Sequence, residues 1–123
     1  MAGDRLWTWS WYTTPAGNDV VRDEIDKTFK KLPRAPKVEL AELMERIARG
    51  ETLRSDVTDL RNGLLEARLS YQGMQFRLYF GKNQRGLVLL ALKFQRKGGQ
   101  GAQKREIRKA RDRLADAKRR DIC

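Results

Sequence analysis

Residues 64–80 read LLEARLSYQGMQFRLYF, and their pattern predicts an antiparallel β-hairpin. Apolar and polar side chains alternate on both sides of Gln72-Gly73, which serves as a two-residue turn. Because such a turn fixes the register, the residues that oppose each other can be named. The predicted apolar pairs are Leu69–Phe76 and Ala67–Leu78, and the predicted polar pairs are Arg68–Arg77, Glu66–Tyr79 and Ser70–Gln75.

Two like charges oppose each other on the polar face of this hairpin. Arg68 and Arg77 destabilise the sheet in that position unless an anion lies between them. Because an arginine fork binds two phosphate oxygens at once, the two side chains predict a phosphate-binding site. The alternative is structural: the arginines pair with Glu66 and with acidic residues of the first helix, or they lie beneath the acidic segment of a partner.

A third strand is predicted over residues 87–95, LVLLALKFQ, and it extends the same polar face. By strand alternation, the side chain of Lys93 is expected to point to that face. The expected register places it beside Gln75 and Arg77. Further cations follow directly after the strand. The candidate site therefore consists of Arg68, Arg77, Tyr79 and Lys93, with Arg96 and Lys97 at its rim.

The residues before this hairpin predict one more strand and two helices. Residues 6–13, LWTWSWYT, predict a first strand whose three tryptophans belong to the core, with a base-stacking platform as the alternative. The first helix ends at Pro33, and the second runs from Pro36 to a cap at Gly50. Residues 51–62 then predict a polar connection that Leu53, Val57 and Leu60 anchor.

The last element, residues 102–120, predicts an amphipathic helix that carries nine Lys and Arg side chains. The predicted order is therefore strand, helix, helix, three strands and a basic C-terminal helix. This order predicts an α+β fold in which an antiparallel-rich sheet has the helices packed on one face.

Length and charge restrict the class of protein. The 123 residues suit a single domain, and the formal net charge is +11. Residues 1–60 hold 10 basic and 11 acidic side chains, whereas residues 61–123 hold 17 basic and 5 acidic ones. A positive field concentrated on part of a small domain attracts a polyanion, which indicates nucleic acid as the partner.

Several classes are excluded by what the sequence lacks. It has no histidine, and Cys123 is its one cysteine, so a His-based catalytic triad, a zinc site and an internal disulfide framework are not expected. No apolar run reaches the ~20 residues of a membrane span, and the N-terminus lacks a signal-peptide pattern. We expect a cytoplasmic protein that uses no metal or cofactor and does not contact a membrane.

Three short motifs resemble those of the RelE/HigB superfamily of bacterial and phage toxins, and most closely its phage-derived HigB-like branch. They are a Gly-Leu-x-Glu-x-Arg strand, an aromatic-Arg-x-x-Tyr-like strand, and a Phe-x-Lys-Lys segment before a basic helix. The resemblance covers residues 9–115. The residues that carry it are Gly63, Leu64, Glu66 and Arg68, then Phe76, Arg77 and Tyr79, and finally Phe94, Gln95, Arg96, Lys97, Ile107, Ala110 and Arg113.

The resemblance implies a RelE-like fold over residues 1–123 and the toxin of a type II toxin–antitoxin system. Such a toxin is a ribosome-dependent mRNA endoribonuclease, or mRNA interferase, which a cognate helix-turn-helix antitoxin neutralises. The 2′-OH of the substrate attacks the adjacent phosphate without a metal and leaves a 2′,3′-cyclic phosphate. By position, Arg77 contacts the scissile phosphate, and Arg68 lies near a residue that acts on the 2′-OH. Lys97 or Arg96 supplies the cation after the last strand.

Several HigB-like members use histidines, and this chain has none. The role of base therefore falls on Lys93, Lys97, Glu66 or a tyrosine, since arginine is a poor base. Tyr71 or Tyr79 replaces the base-stacking tyrosine of RelE, which has no match in this sequence. The residues expected to bind RNA are Arg96, Tyr71, Lys104, Arg105, Arg108 and Lys109.

Two other functions remain open at this point. The first is a non-catalytic phage or bacterial accessory protein that uses the same fold to bind nucleic acid or a protein. The second is a sequence-specific DNA-binding domain. It is less favoured, because no helix-turn-helix pair precedes the basic helix.

Overall fold

A computed structural model describes residues 6–52, 56–97 and 100–122, so Cys123 lies outside the described part. Within these ranges the fold is α+β, with three helices and a five-stranded mixed sheet. No helix there is both long and apolar enough to cross a membrane. The elements are β1 (Thr8–Trp11), α1 (Val20–Phe29), α2 (Ala35–Arg49), β2 (Val57–Asp59), β3 (Leu64–Tyr71), β4 (Met74–Asn83), β5 (Val88–Arg96) and α3 (Gln100–Arg119).

The predicted hairpin is confirmed. Strands β3 and β4 are antiparallel, and all five predicted cross-strand pairs occur, including Arg68 opposite Arg77. Gln72 and Gly73 both have left-handed backbone conformations, with φ of 48° and 80°, as the twist of a two-residue hairpin turn requires. The strand order is β1-β5-β4-β3-β2, and only the pair of β1 with β5 is parallel among the described strands. The sheet is therefore antiparallel-rich, as predicted.

The prediction of a polar connection over residues 51–62 missed a strand, although Val57 and Leu60 anchor it to the core as predicted; Leu53 lies outside the described residues. Three residues of the connection form β2, which pairs with β3 so that Val57 opposes Ala67. A strand of three residues at the edge of a sheet is too short to leave a periodic pattern in the sequence. It forms because its main chain completes the hydrogen bonding of β3.

The prediction that all helices pack on one face was wrong. Phe94 and Lys93 are neighbours in β5, so their side chains point to opposite faces. Phe94 meets Phe29 of α1 with ring centroids 5.4 Å apart, whereas the ammonium of Lys93 lies 2.8 Å from the carboxylate of Glu106 in α3. Residues 89–95 are all buried, whichever face of the sheet their side chains point to, as expected for a strand covered on both faces.

The three tryptophans of the first strand belong to the core, as predicted. Trp7, Trp9 and Trp11 are half-buried and pack against the main cluster of apolar side chains. The ring of Trp9 lies 5.2 Å from that of Phe80, and its Nε1 donates a hydrogen bond to the Met44 carbonyl at 2.7 Å. These contacts attach α2 to the same face as α1 and leave the other face to α3.

Candidate nucleic-acid interface

Polar side chains form three rows across the face of the sheet that α3 covers. Opposed residues of antiparallel strands point to the same face, so the strand register defines the rows. Backbone bonds from Arg68 N to Asp56 O at 2.8 Å and from Lys97 N to Gln75 O at 2.7 Å continue that register. The outer row is Ser70, Gln75 and Lys97; the middle row is Asp56, Arg68, Arg77 and Gln95; the inner row is Thr58, Glu66, Tyr79 and Lys93.

The outer row and all of the middle row except Gln95 line a cavity of about 570 Å³. It contains Arg68, Arg77 and Lys97, three of the predicted catalytic residues, and one carboxylate of the middle row. The inner row does not line it. The full lining is Asp56, Arg68, Ser70, Gln75, Phe76, Arg77 and Lys97.

Arg77 forms the deepest cationic group of this cavity. Only 8% of the residue is exposed, and its Nη1 is buried with no hydrogen-bond partner in the described part of the chain. Its Nε lies 3.8 Å from Oε1 of Glu66, which is itself 3% exposed. A buried guanidinium nitrogen without an acceptor is costly, so this group is suited to an anion supplied by a ligand.

Arg68 stands on the same face and is more open. Its side chain is 46% exposed, its Nη2 donates to Thr58 Oγ1 at 2.6 Å, and its Nε also lies 3.8 Å from Oε1 of Glu66. One buried carboxylate therefore lies beside both arginines. The structural alternative is therefore confirmed for Glu66, which pairs with the arginines. Glu24, an acidic residue of the first helix, instead contacts Lys93 and Arg113.

The structure separates the two cations that follow the last strand. Lys97 is exposed at the end of the outer row and lines the cavity. Arg96 opposes Phe76, whose ring packs against α1. The side chain of Arg96 therefore points to the other face of the sheet, away from the cavity. Tyr71 also lies on that face, half-buried against the core. The predicted RNA contacts of Arg96 and Tyr71 are therefore not part of this cavity.

Lys93 does not occupy its predicted place beside Gln75 and Arg77. It opposes Tyr79, one row further in, and Gln95 takes the position opposite Arg77. The loop between β4 and β5 and a bulge after Tyr79 set this register, and neither can be located from alternation alone. Lys93 is 8% exposed as a residue, and its ammonium pairs with Glu24 of α1 at 2.9 Å as well as with Glu106 of α3.

Tyr79 is fully buried in the inner row. Its hydroxyl is 3.4 Å from Oε1 of Gln95, to which it donates a weak hydrogen bond. Burial, aided by the Glu66 carboxylate and opposed by the Arg77 guanidinium, raises the pKa of Tyr79 to about 12. The phenol therefore stays protonated at neutral pH and is not available as a base.

Glu24 is an organising residue that the sequence analysis missed. Strand β1 pairs with β5 only as far as Ala91, and beyond it the Glu24 carboxylate accepts a hydrogen bond from Phe94 N at 3.1 Å. It also binds Lys93 and, at 2.8 Å, Arg113. Burial by itself raises the pKa of Glu24, but the bonds from Arg113, Lys93 and Phe94 outweigh it and hold the pKa below its usual value.

The basic residues of α3, together with Arg120 directly after its end, divide into two groups. Arg111, Arg113 and Arg120 turn inward and donate to main-chain carbonyls at Leu60, Leu92 and Thr13 respectively. The others are exposed on the outward face of the helix, including the four that the sequence analysis assigned to RNA. The exposed cations, defined here as the outer face of α3, are Lys104, Arg105, Arg108, Lys109, Lys118 and Arg119.

The family of the chain follows from comparison with known proteins. A family model described as "Phage derived protein Gp49-like (DUF891)" matches residues 27–115, which contain the whole cavity and most of α3. No curated protein matches the chain. The match confirms the phage-derived, toxin-like part of the predicted resemblance. The chain belongs to the phage-derived Gp49-like family, which lies within the RelE/HigB-type group of toxin-like proteins.

Proposed function

We propose that this protein is the toxin of a toxin–antitoxin system and cleaves mRNA on the ribosome. The observation that carries the proposal is the guanidinium of Arg77, which lies nine-tenths buried in the cavity with one nitrogen unpaired. Arg68 opposes it on the same face, and Lys97 stands on the adjoining row. Membership of the Gp49-like family supports the same assignment.

The proposed chemistry needs the RNA, the three cations of the cavity and the Glu66 carboxylate beside them. The 2′-oxygen forms a bond to phosphorus as its proton passes to the Glu66 carboxylate, and the bond to the 5′-oxygen breaks as that oxygen takes a proton from Lys97. The products are a 2′,3′-cyclic phosphate and a free 5′-hydroxyl. Negative charge accumulates on the phosphorane oxygens between these events, so fixed cations at that point accelerate the reaction.

The three cations of the cavity suit different parts of this reaction. The forks of Arg68 and Arg77 stabilise the phosphorane oxygens, and the Lys97 ammonium donates the proton to the leaving 5′-oxygen. Lys93 and Tyr79, two of the base candidates, are held in the inner row away from the cavity. With Lys97 as the acid, Glu66 is the remaining base candidate within reach of the arginine pair, since its Oε1 lies 3.8 Å from Nε of Arg68 and of Arg77.

The outer face of α3 supports binding to a larger RNA than the substrate alone. Its six cations lie on the exposed side of one helix, so they can contact successive phosphates of ribosomal RNA. The proposal also includes a cognate antitoxin, expected to be a small helix-turn-helix protein that blocks the cavity or this face. Its gene is expected beside that of the toxin.

Primer extension on translating ribosomes tests the proposal. Wild-type protein should create new 5′ ends at codon-phased positions, and Arg77→Ala should abolish them because the phosphorane loses its buried cation. Arg96→Ala is the matched control, since it removes an arginine from the other face of the same sheet. Full cleavage by folded Arg77→Ala would remove the site assignment.

The same assay separates the enzyme from a non-catalytic binder. A protein that only docks on nucleic acid gives salt-sensitive binding through the outer face of α3 and no new 5′ ends. Absence of cleavage by folded wild-type protein, with ribosomes and mRNA supplied, would overturn the nuclease and leave the binding function.

A further inference from the structure

A hydrogen bond from the edge strand β2 restrains the more open of the two arginines. Nη2 of Arg68 donates to Oγ1 of Thr58 at 2.6 Å, and Thr58 is the middle residue of that three-residue strand. In the register of β2 with β3, Thr58 opposes Glu66 in the inner row. The bond therefore draws the Arg68 fork from the middle row towards the Glu66 carboxylate, where Arg77 also points.

The two arginines repel each other when no anion lies between them. Arg68 and Arg77 are directly opposed on antiparallel strands, and like charges in that arrangement destabilise a sheet. Arg77 is enclosed by the protein, whereas the side chain of Arg68 is exposed. Arg68 is therefore the group that repulsion would turn outward into solvent if nothing restrained it.

Two acceptors of the inner row oppose that movement in different ways. The Glu66 carboxylate lies 3.8 Å from Nε of each arginine, so it attracts both forks from beyond hydrogen-bond length. Thr58 Oγ1 forms a hydrogen bond of ordinary length, which has a preferred direction. Because a guanidinium is planar and its N–H groups have fixed directions, one directed bond at Nη2 sets the orientation of the whole fork.

We propose that Thr58 is a positioning residue, which orients the Arg68 fork for the anion of the cavity before RNA binds. The inference rests on the proposed function for the identity of that anion, the phosphorane formed during cleavage. Stabilisation of a transition state depends on charges that are already in place. An Arg68 side chain without the Thr58 bond still attracts RNA, but it stabilises the phosphorane less.

Thr58→Val tests the proposal, because valine is β-branched like threonine and suits a strand but accepts no hydrogen bond. In single-turnover cleavage of mRNA on ribosomes, the maximal rate should fall about tenfold, the scale of one hydrogen bond to a charged group. The half-saturating protein concentration should change by less than about twofold, since the charge of Arg68 remains. Thr58→Ser retains the hydroxyl and should retain the wild-type rate.

Two controls separate positioning from a general effect on the fold. Thr8→Val makes the same substitution in β1, at the opposite edge of the sheet, and should leave cleavage unchanged. In an Arg68→Met background, Thr58→Val should have no further effect, because the side chain that it positions is already gone. An unchanged rate in Thr58→Val, a reduced rate in Thr58→Ser, or an equal loss in the Arg68→Met background would overturn the proposal.

NMR of protein labelled with ¹⁵N-arginine gives a readout that does not require cleavage. A guanidinium held by a hydrogen bond rotates slowly about its Nε–Cζ bond, and the Arg68 signal is assigned by its absence from Arg68→Met. Slow rotation in wild type and Thr58→Ser, with fast rotation in Thr58→Val, supports the proposal, whereas fast rotation in wild type overturns it. If wild type shows slow rotation but cuts no mRNA, the nuclease fails, and Thr58 stands as the residue that orients Arg68 for a bound phosphate.

Discussion

The middle and inner rows of the sheet face each contain a buried cation, and the two cations differ in how fully the protein pairs them. In the inner row Lys93 lies between two carboxylates, at 2.9 Å from Glu24 and 2.8 Å from Glu106, so the protein itself neutralises the charge. In the middle row, ~6.6 Å away along the strands, Arg77 has a buried nitrogen with no partner among the described residues. The charge of Lys93 is therefore neutralised by two close carboxylates, whereas Arg77 keeps one nitrogen available for an anion from a ligand.

The helices that contact each row explain this difference. Helix α3 contributes Glu106 to the inner row, and α1 contributes Glu24 around the open edge of β5. Neither helix contributes a carboxylate to the cavity among the lining residues. The parity of a strand residue determines which face it occupies, but the neighbouring elements determine whether its charge is structural or available to a ligand.

The sharpest test exchanges one cation of each row for an uncharged side chain of similar length. Arg77→Met should reduce cleavage by at least ~100-fold, the scale of losing one transition-state contact, and should lower the melting temperature less than Lys93→Met does, because Glu66 keeps Arg68 as a partner. Lys93→Met should do the reverse: it leaves two carboxylates buried together, so the melting temperature falls while the remaining folded protein still cuts. Primer extension and thermal unfolding of both variants measure this contrast. Loss of cleavage in folded Lys93→Met would place the reaction in the inner row.

Glu24→Gln should reveal how strongly the inner row depends on its carboxylates. The substitution leaves Lys93 and Arg113 without a shared anion, and breaking one partner of a buried ion pair costs roughly 3 kcal/mol. Urea unfolding measures the free energy directly. Glu42→Gln on the exposed side of α2 is the control and should change it little. An equally small effect of Glu24→Gln would mean that the network does not hold α3 in place.

Only part of the difference between the rows could be predicted from the sequence. The hairpin, its register and the shared face of Arg68 and Arg77 follow from local information, because a two-residue turn and strict alternation fix them. The same reasoning placed Lys93 on the correct face but in the wrong row. Its row depends on the loop between β4 and β5 and on a bulge, which are not encoded by alternation.

Which helix packs on which face of the sheet could not be predicted from local sequence patterns, for a different reason. An acidic residue such as Glu24 is ordinary on an amphipathic helix, and nothing in its neighbours indicates that it reaches an unpaired strand edge. The continuous apolar run in β5 was the available signal for a sheet covered on both faces. That signal predicts two covered faces, but it does not identify the helix on each.

The acid stability of the protein should depend on the same carboxylate. The pKa of Glu24 is lower in the folded protein than its usual value of 4.5, so its stabilising effect is complete above pH 4.5 and is lost as the pH falls through the folded pKa. Unfolding free energy measured from pH 6 down to pH 3 should therefore fall more steeply for wild type than for Glu24→Gln. Parallel curves would contradict the lowered pKa.

Tyr79→Phe should have the smallest effect, although the tyrosine is an attractive candidate base in the sequence. Its hydroxyl makes one weak bond of 3.4 Å to Gln95, so the loss of unfolding free energy should stay below ~1 kcal/mol. Because burial raises the pKa of Tyr79 to about 12, the wild-type pH–rate profile should show no tyrosine titration between pH 6 and 9. The variant should cut mRNA at the wild-type rate with the same profile. A large loss of cleavage in a stable Tyr79→Phe protein would show that the inner row opens during the reaction, and the division between the two rows would then hold only for the resting molecule.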